Sequence, residues 1–169
     1  MSPGGMTVEV GDRTTVLDHA GGQRHELPVG ARSLADDITV AHDPPHAADL
    51  TNALGLVADH LDDILIATPS LIAPTDVAIT GEHAVQLARV ERGSIDLGSA
   101  VRLRREEIDE VFRTVATEAR ADRCHNPGLD ADYVDAIVGT CCVVLAIIRR
   151  LELDDVAVLI DQHHDRGAA

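Results

Sequence analysis

Few places in this chain combine residue types and spacings that could do chemistry. The clearest is Thr80-Gly81-Glu82, where a β-prone apolar run over 76–79 meets a glycine turn and then a helix over 82–90. A helix N-terminus offers free N–H groups and partial positive charge, and so favours an anion such as phosphate. Glu82 puts its own carboxylate into that field, so the plainer reading is a helix-capping charge. His163-His164 between Asp161 and Asp165 offers ligand types for a divalent metal, but without a fourth fixed ligand it reads as a solvated tail. His42 and His46 flank Asp43-Pro44-Pro45 with no strong metal-ligand spacing, and no metal site is expected. Arg102, Arg104 and Arg105 make the densest basic spot, yet Glu106 and Glu107 beside them point to surface ion pairs rather than an anion site.

The elements that must position these residues can be read from periodicity. Thr7 to Val10 alternates apolar and polar residues, 14–17 is β-prone, Ala20-Gly21-Gly22 marks a turn and 25–29 is extended again, which predicts three short antiparallel strands. A short helix over 32–38 must end before Asp43-Pro44-Pro45. Over 46–66, Leu50, Leu54, Val57, Leu61 and Ile64 recur at steps of three and four, the stripe of an amphipathic helix. Ile108, Val111, Phe112 and Val115 predict a helix over 104–120. A helix over 131–151, apolar nearly all round in its middle, should be central, and the unbroken apolar run 156–160 reads as a strand covered on both faces.

Bulk properties narrow the function classes. At 169 residues and 45% hydrophobic content, one globular domain is expected, with 1–6 as an N-terminal tail and either Met1 or Met6 as initiator. The net charge is −15, every basic side chain other than histidine is Arg, and the only Tyr and Phe are Tyr133 and Phe112. Long-range repulsion and the lack of stacking rings argue against nucleic acid and acidic membranes. The three cysteines are an odd number, and Cys141 and Cys142 lie in an apolar run where thiols act as small hydrophobes. A reducing cytoplasm is the expected setting, with neither a signal peptide nor a spanning segment.

Several segments taken in order resemble the C-terminal half of exopolyphosphatase/guanosine pentaphosphate phosphatase (Ppx/GppA) proteins. Leu27-Pro28-Val29-Gly30-Ala31-Arg32-Ser33-Leu34 is similar to the family's third strand and turn, and Asp43-Pro44-Pro45 to the turn before its next helix. Leu103 to Ile108, the block from Asn126-Pro127-Gly128-Leu129 through Gly139, and Leu153 to Val156 with the closing Asp165-Arg166-Gly167 resemble later motifs. The resemblance covers 7–167 and implies an α/β, ribonuclease-H-like (actin-like ATPase) domain with a mixed sheet and helices on both faces.

It also implies a site. The family's D-I-G-G-G-S-T-E phosphate loop aligns with Glu9-Val10-Gly11-Asp12-Arg13-Thr14-Thr15-Val16, and its second loop with Thr80-Gly81-Glu82. Glu9, Gly11, Thr14, Thr15, Thr80 and Gly81 are thus remnants of phosphate loops. Only one glycine of the first loop survives, Val16 replaces its final Glu, and Asp12 adds negative charge where the anion would lie. The family's first half, source of the catalytic acid, has no counterpart in these residues, so no catalytic residue is assigned. The expected function is a catalytically degenerate binding or assembly module, without cofactor, forming a homodimer or joining a protein partner. The alternatives are a Mg²⁺-dependent hydrolase of polyphosphate or guanosine penta/tetraphosphate, alone or with a separate first half, and a sensor binding a small phosphate-containing nucleotide.

Overall fold

The computed structural model describes residues 5–39 and 42–160. The tail around His163-His164 and the closing Asp165-Arg166-Gly167 lie outside the described residues. Three antiparallel strands come first, β1 (Gly5–Val10), β2 (Thr15–His19) and β3 (Gln23–Leu27), followed by α1 (Ala31–Thr39) and α2 (Ala47–Ala67). The chain continues through β4 (Asp76–Thr80), α3 (Glu82–Arg92), β5 (Ala100–Arg104), α4 (Arg105–Thr117), the short α5 (Arg120–Arg123), α6 (Ile137–Arg150) and β6 (Asp155–Leu159). The sheet is mixed, in the order β3-β2-β1-β4-β6-β5, with β1, β4 and β6 parallel and the others antiparallel to their neighbours. The expected α/β architecture with a mixed sheet is present.

Three expectations change. First, among the described residues the helices lie on one face of the sheet only. Met6, Val8, Val10, Leu17, Val77, Ile79, Val156 and Val158 are buried on that face, while Glu9, Asp76, Arg102 and Leu159 stay exposed on the other. The alternation of Val8 and Val10 with Thr7 and Glu9 is the signature of such one-sided burial. β6 is likewise not covered on both sides, since Leu159 is 41% exposed. Met6, read as part of a tail, sits inside β1 because its side chain belongs to the core.

Second, β5 was not anticipated. Val101 and Leu103 turn toward the helices while Arg102 and Arg104 turn outward, a period of two hidden inside the stretch read as a basic spot. The expected ion pairs do form, between Arg102 and Asp155 and between Arg104 and Glu107.

Third, the helix expected over 131–151 begins only at Ile137. Asp130 accepts the Asp132 N–H at 3.0 Å and closes a separate 3₁₀ turn over Ala131–Tyr133, which diverts the chain before α6 starts. The expected central role holds: 137–148 are all buried, and α6 packs against α1, α2, α3 and α4. Burial pushes the Cys141 thiol well up and Cys142 to about 12, so neither is a nucleophile at neutral pH. No helix among the described residues is long and apolar enough to cross a membrane.

Candidate functional site

The β1–β2 turn and the β4–α3 turn meet at the carboxyl ends of two adjacent parallel strands, the edge where open α/β sheets commonly bind ligands. Two glycines permit the approach. Gly81 has φ 94°, and a Cβ there would lie 2.8 Å from the Val10 carbonyl oxygen. A Cβ at Gly30 would lie 2.5 Å from the Arg13 nitrogen and 2.6 Å from the Gly11 oxygen, so the first turn can rest against the start of α1.

That contact decides how the turn is used. The Gly11 carbonyl accepts the Ala31 N–H at 2.9 Å, and the Asp12 carbonyl accepts the N–H groups of Arg32 and Ser33 at 3.0 Å each. Three first-turn donors of α1, which could otherwise face an anion, are thereby satisfied by the protein's own backbone. At α3, Glu82 accepts hydrogen bonds from Gln86 at 2.8 Å and Arg89 at 3.3 Å, and so keeps its place at the helix N-terminus.

Of the sequence-derived site residues, the structure brings Gly11, Thr14, Thr80 and Gly81 to these two turns. Glu9 and Thr80 are register partners on the open face of the sheet. Thr15 is different: it is fully buried and its hydroxyl donates to the Val29 carbonyl at 2.9 Å, a structural bond.

The group at the centre is one that sequence reasoning passed over. His83, only 6% exposed, holds its Nε2 2.7 Å from Asp12 Oδ1, which also accepts from Arg32 Nε at 3.2 Å. His83 Nδ1 lies 3.4 Å from the Thr140 hydroxyl, and the Tyr133 ring meets the imidazole edge-on at 5.1 Å. Arg32 extends to the Asp132 carbonyl at 3.2 Å. Asp12 and His83 are 71 positions apart, and no local pattern signals such a pair.

Asp12 and Glu82 make this corner negative, and Arg32 and Arg89 are their counter-ions. The hydrogen bonds from His83 and Arg32 hold the Asp12 carboxyl below its ordinary value. Burial, and then the charges of Glu82 and Asp12, push the Tyr133 hydroxyl up. Because the folded state lowers the Asp12 pKa, the pair's stabilisation is fully present above the ordinary carboxylate value and is lost as pH falls through the lowered one. Asp12→Ala should cost about 1 kcal/mol at pH 7, a modest figure because water reaches Asp12. In thermal melts from pH 6 to pH 2.5, the margin of wild type over Asp12→Ala should shrink below about pH 4. A margin constant across that range would mean that the Asp12 charge plays no part.

No protein-family model matches the sequence, and no curated protein resembles it closely enough to count as a relative. Solved structures do resemble the fold. An exopolyphosphatase-like protein superposes with a TM-score of 0.83 at 16% identity, covering 94% of this chain and 56% of its own length. The Aquifex aeolicus PPX-GPPA enzyme gives 0.81 at 16% identity, covering 92% of this chain and 52% of that one. An exopolyphosphatase from Cytophaga hutchinsonii gives 0.77 at 16% identity, with the same coverage of 92% and 52%. This chain thus spans about half the length of each, and its fold is that of half an exopolyphosphatase of the Ppx/GppA kind.

Proposed function

We propose that this domain is a phosphatase-like module that works by binding and assembly rather than by catalysis. The observation that carries this reading is the filling of the two turns by the protein's own groups. Asp12, locked by His83 and Arg32, and Glu82, held by Gln86 and Arg89, stand where a phosphate chain would need free donors and no nearby negative charge. The side chains fit Mg²⁺ chemistry poorly as well. Mg²⁺ in phosphate sites is held by one or two carboxylates shared with substrate oxygens, whereas one oxygen of Asp12 is already taken by two nitrogen donors and Glu9 lies on the open sheet face. On this reading the domain uses no cofactor.

The purified chain should release no phosphate above a buffer control from polyphosphate or guanosine penta/tetraphosphate with Mg²⁺. Nor should these ligands or ATP raise its melting temperature. Mg²⁺-dependent phosphate release that vanishes in Glu9→Gln would overturn the proposal in favour of a hydrolase, and a specific thermal shift without turnover would favour a nucleotide sensor.

The partner proposed is a second copy or another protein. One exposed apolar patch lies at the opposite end of the sheet from the two turns: Ile66 and Ile72 are 79% and 50% exposed and, with Leu65, line a shallow cavity of about 490 Å³. With a charge of −15 opposing association, a homodimer formed there should tighten as salt screens the repulsion. Light scattering should show the dimer fraction rising with ionic strength in wild type and falling in Ile66→Arg. A monomer at high concentration and high salt, with no protein recovered by affinity capture, would remove the assembly half of the proposal.

A further inference from the structure

Away from the two turns, the geometry points to a second site: we propose that His42, His46 and Asp49 bind one divalent transition-metal ion of the Zn²⁺ type. Across the bend at Asp43-Pro44-Pro45 the two imidazoles stack, with ring centroids 3.4 Å apart and planes 18° from parallel. Asp49 reaches up from the first turn of α2. Its Oδ2 lies 3.2 Å from His42 Nδ1 and accepts the His46 backbone N–H at 3.2 Å. One ligand atom from each of the three side chains lies within 4.8 Å of the others.

Around a tetrahedral ion with bonds of about 2.0–2.1 Å, ligand atoms stand roughly 3.4 Å apart, so a cluster spread over as much as 4.8 Å must contract by up to about 1.4 Å. One ring must also turn, because two nearly parallel planes cannot both contain the same ion. His42 lies outside the helix that His46 caps, so its exposed ring is the one to leave the stack. Two imidazole nitrogens and one carboxylate oxygen form a donor set suited to Zn²⁺, Ni²⁺ or Cu²⁺, whereas Mg²⁺ and Ca²⁺ favour oxygen alone. Water would complete the coordination, as at open zinc sites.

The surroundings hold the cluster in place. The Asp43 carboxylate, between the two histidines, accepts the Arg120 N–H at 2.9 and 3.0 Å and Arg123 Nη2 at 3.2 Å. Arg123 is 1% exposed and is itself anchored to the carbonyls of Val115 and Glu118. The turn carrying the ligands is therefore pinned to the α4–α5 corner, which fixes the backbone from which the ligands project. Asp37 shares a cavity of about 220 Å³ with Asp49, and the overall negative charge draws cations to the surface.

The test is calorimetric titration of the metal-stripped full chain with Zn²⁺ at pH 7.5, paired with thermal melts. Wild type should bind one ion at this site and melt at a higher temperature in its presence. His42→Ala, which removes no helix-capping bond, should weaken zinc binding by at least about tenfold and abolish the thermal shift, while the loss of one exposed bond to Asp49 moves the metal-free melt by no more than a degree or two. The double variant His163→Ala/His164→Ala separates this site from the histidines near the C-terminus and should bind zinc as wild type does. Zinc affinity unchanged in His42→Ala, loss of binding in the double variant, or no binding by wild type would each overturn the proposal.

Discussion

Ile137→Asp is expected to leave no folded protein. Ile137 opens α6, is fully buried, and belongs to the helix against which α1, α2, α3 and α4 all pack. Removing its side chain would cost about 2–5 kcal/mol of lost contact and cavity, and a buried carboxylate without a partner adds several more. That sum rivals the roughly 5–15 kcal/mol by which an ordinary domain is stable. Expression should yield insoluble chain, or a soluble product without a cooperative thermal transition. Ile137→Val, which deletes one methyl group, should fold and lose only about 1 kcal/mol. An Asp variant that melts at the wild-type temperature would show that this position is not in the core.

Gly139→Val should also be damaging, though the protein still folds, and for the opposite reason. A Cβ at Gly139 would stand 1.9 Å from the Ala31 carbonyl oxygen and 2.8 Å from the Ala35 nitrogen, so α1 and α6 touch backbone to backbone. No rotamer relieves a clash with main chain; the helices must separate and lose the packing around them. A cost of about 3 kcal/mol corresponds to a fall in melting temperature of roughly 6–12 °C for a chain of this size. Displacing α1 also moves Arg32 and the N–H groups that hold the β1–β2 turn, so the Asp12 cluster should loosen with it. Gly55 in α2 is the control: a Cβ there meets nothing within 4 Å, and Gly55→Ala should stabilise by up to about 1 kcal/mol through helix propensity alone. If Gly139→Val melts within a degree or two of wild type, the two helices do not approach this closely.

What the sequence determined by itself is whatever depends on neighbours along the chain. The stripe in 46–66 became α2, the alternation in Thr7 to Val10 became β1, and the all-round apolar middle of the helix expected over 131–151 marked α6 as central, because burial imposes its period on consecutive residues. The ordered motifs, from Leu27-Pro28-Val29-Gly30 to Leu153-Asp154-Asp155-Val156, pointed to the fold that the solved structures share.

Tertiary structure alone decided what depends on convergence. Among the described residues it left one sheet face without helices, resolved β5 out of an arginine-rich stretch, and delayed the start of the last helix to Ile137, because a 3₁₀ turn capped by Asp130 competes with helix before it. It also composed the sites. Asp12 meets His83 across 71 positions and Asp43 meets Arg123 across 80, while His42 and His46, close in sequence, stack across a bend that their spacing does not announce. Hydrogen bonds and metal ligands require atoms within a few ångströms of one another, and folding fixes those distances through packing of the whole domain.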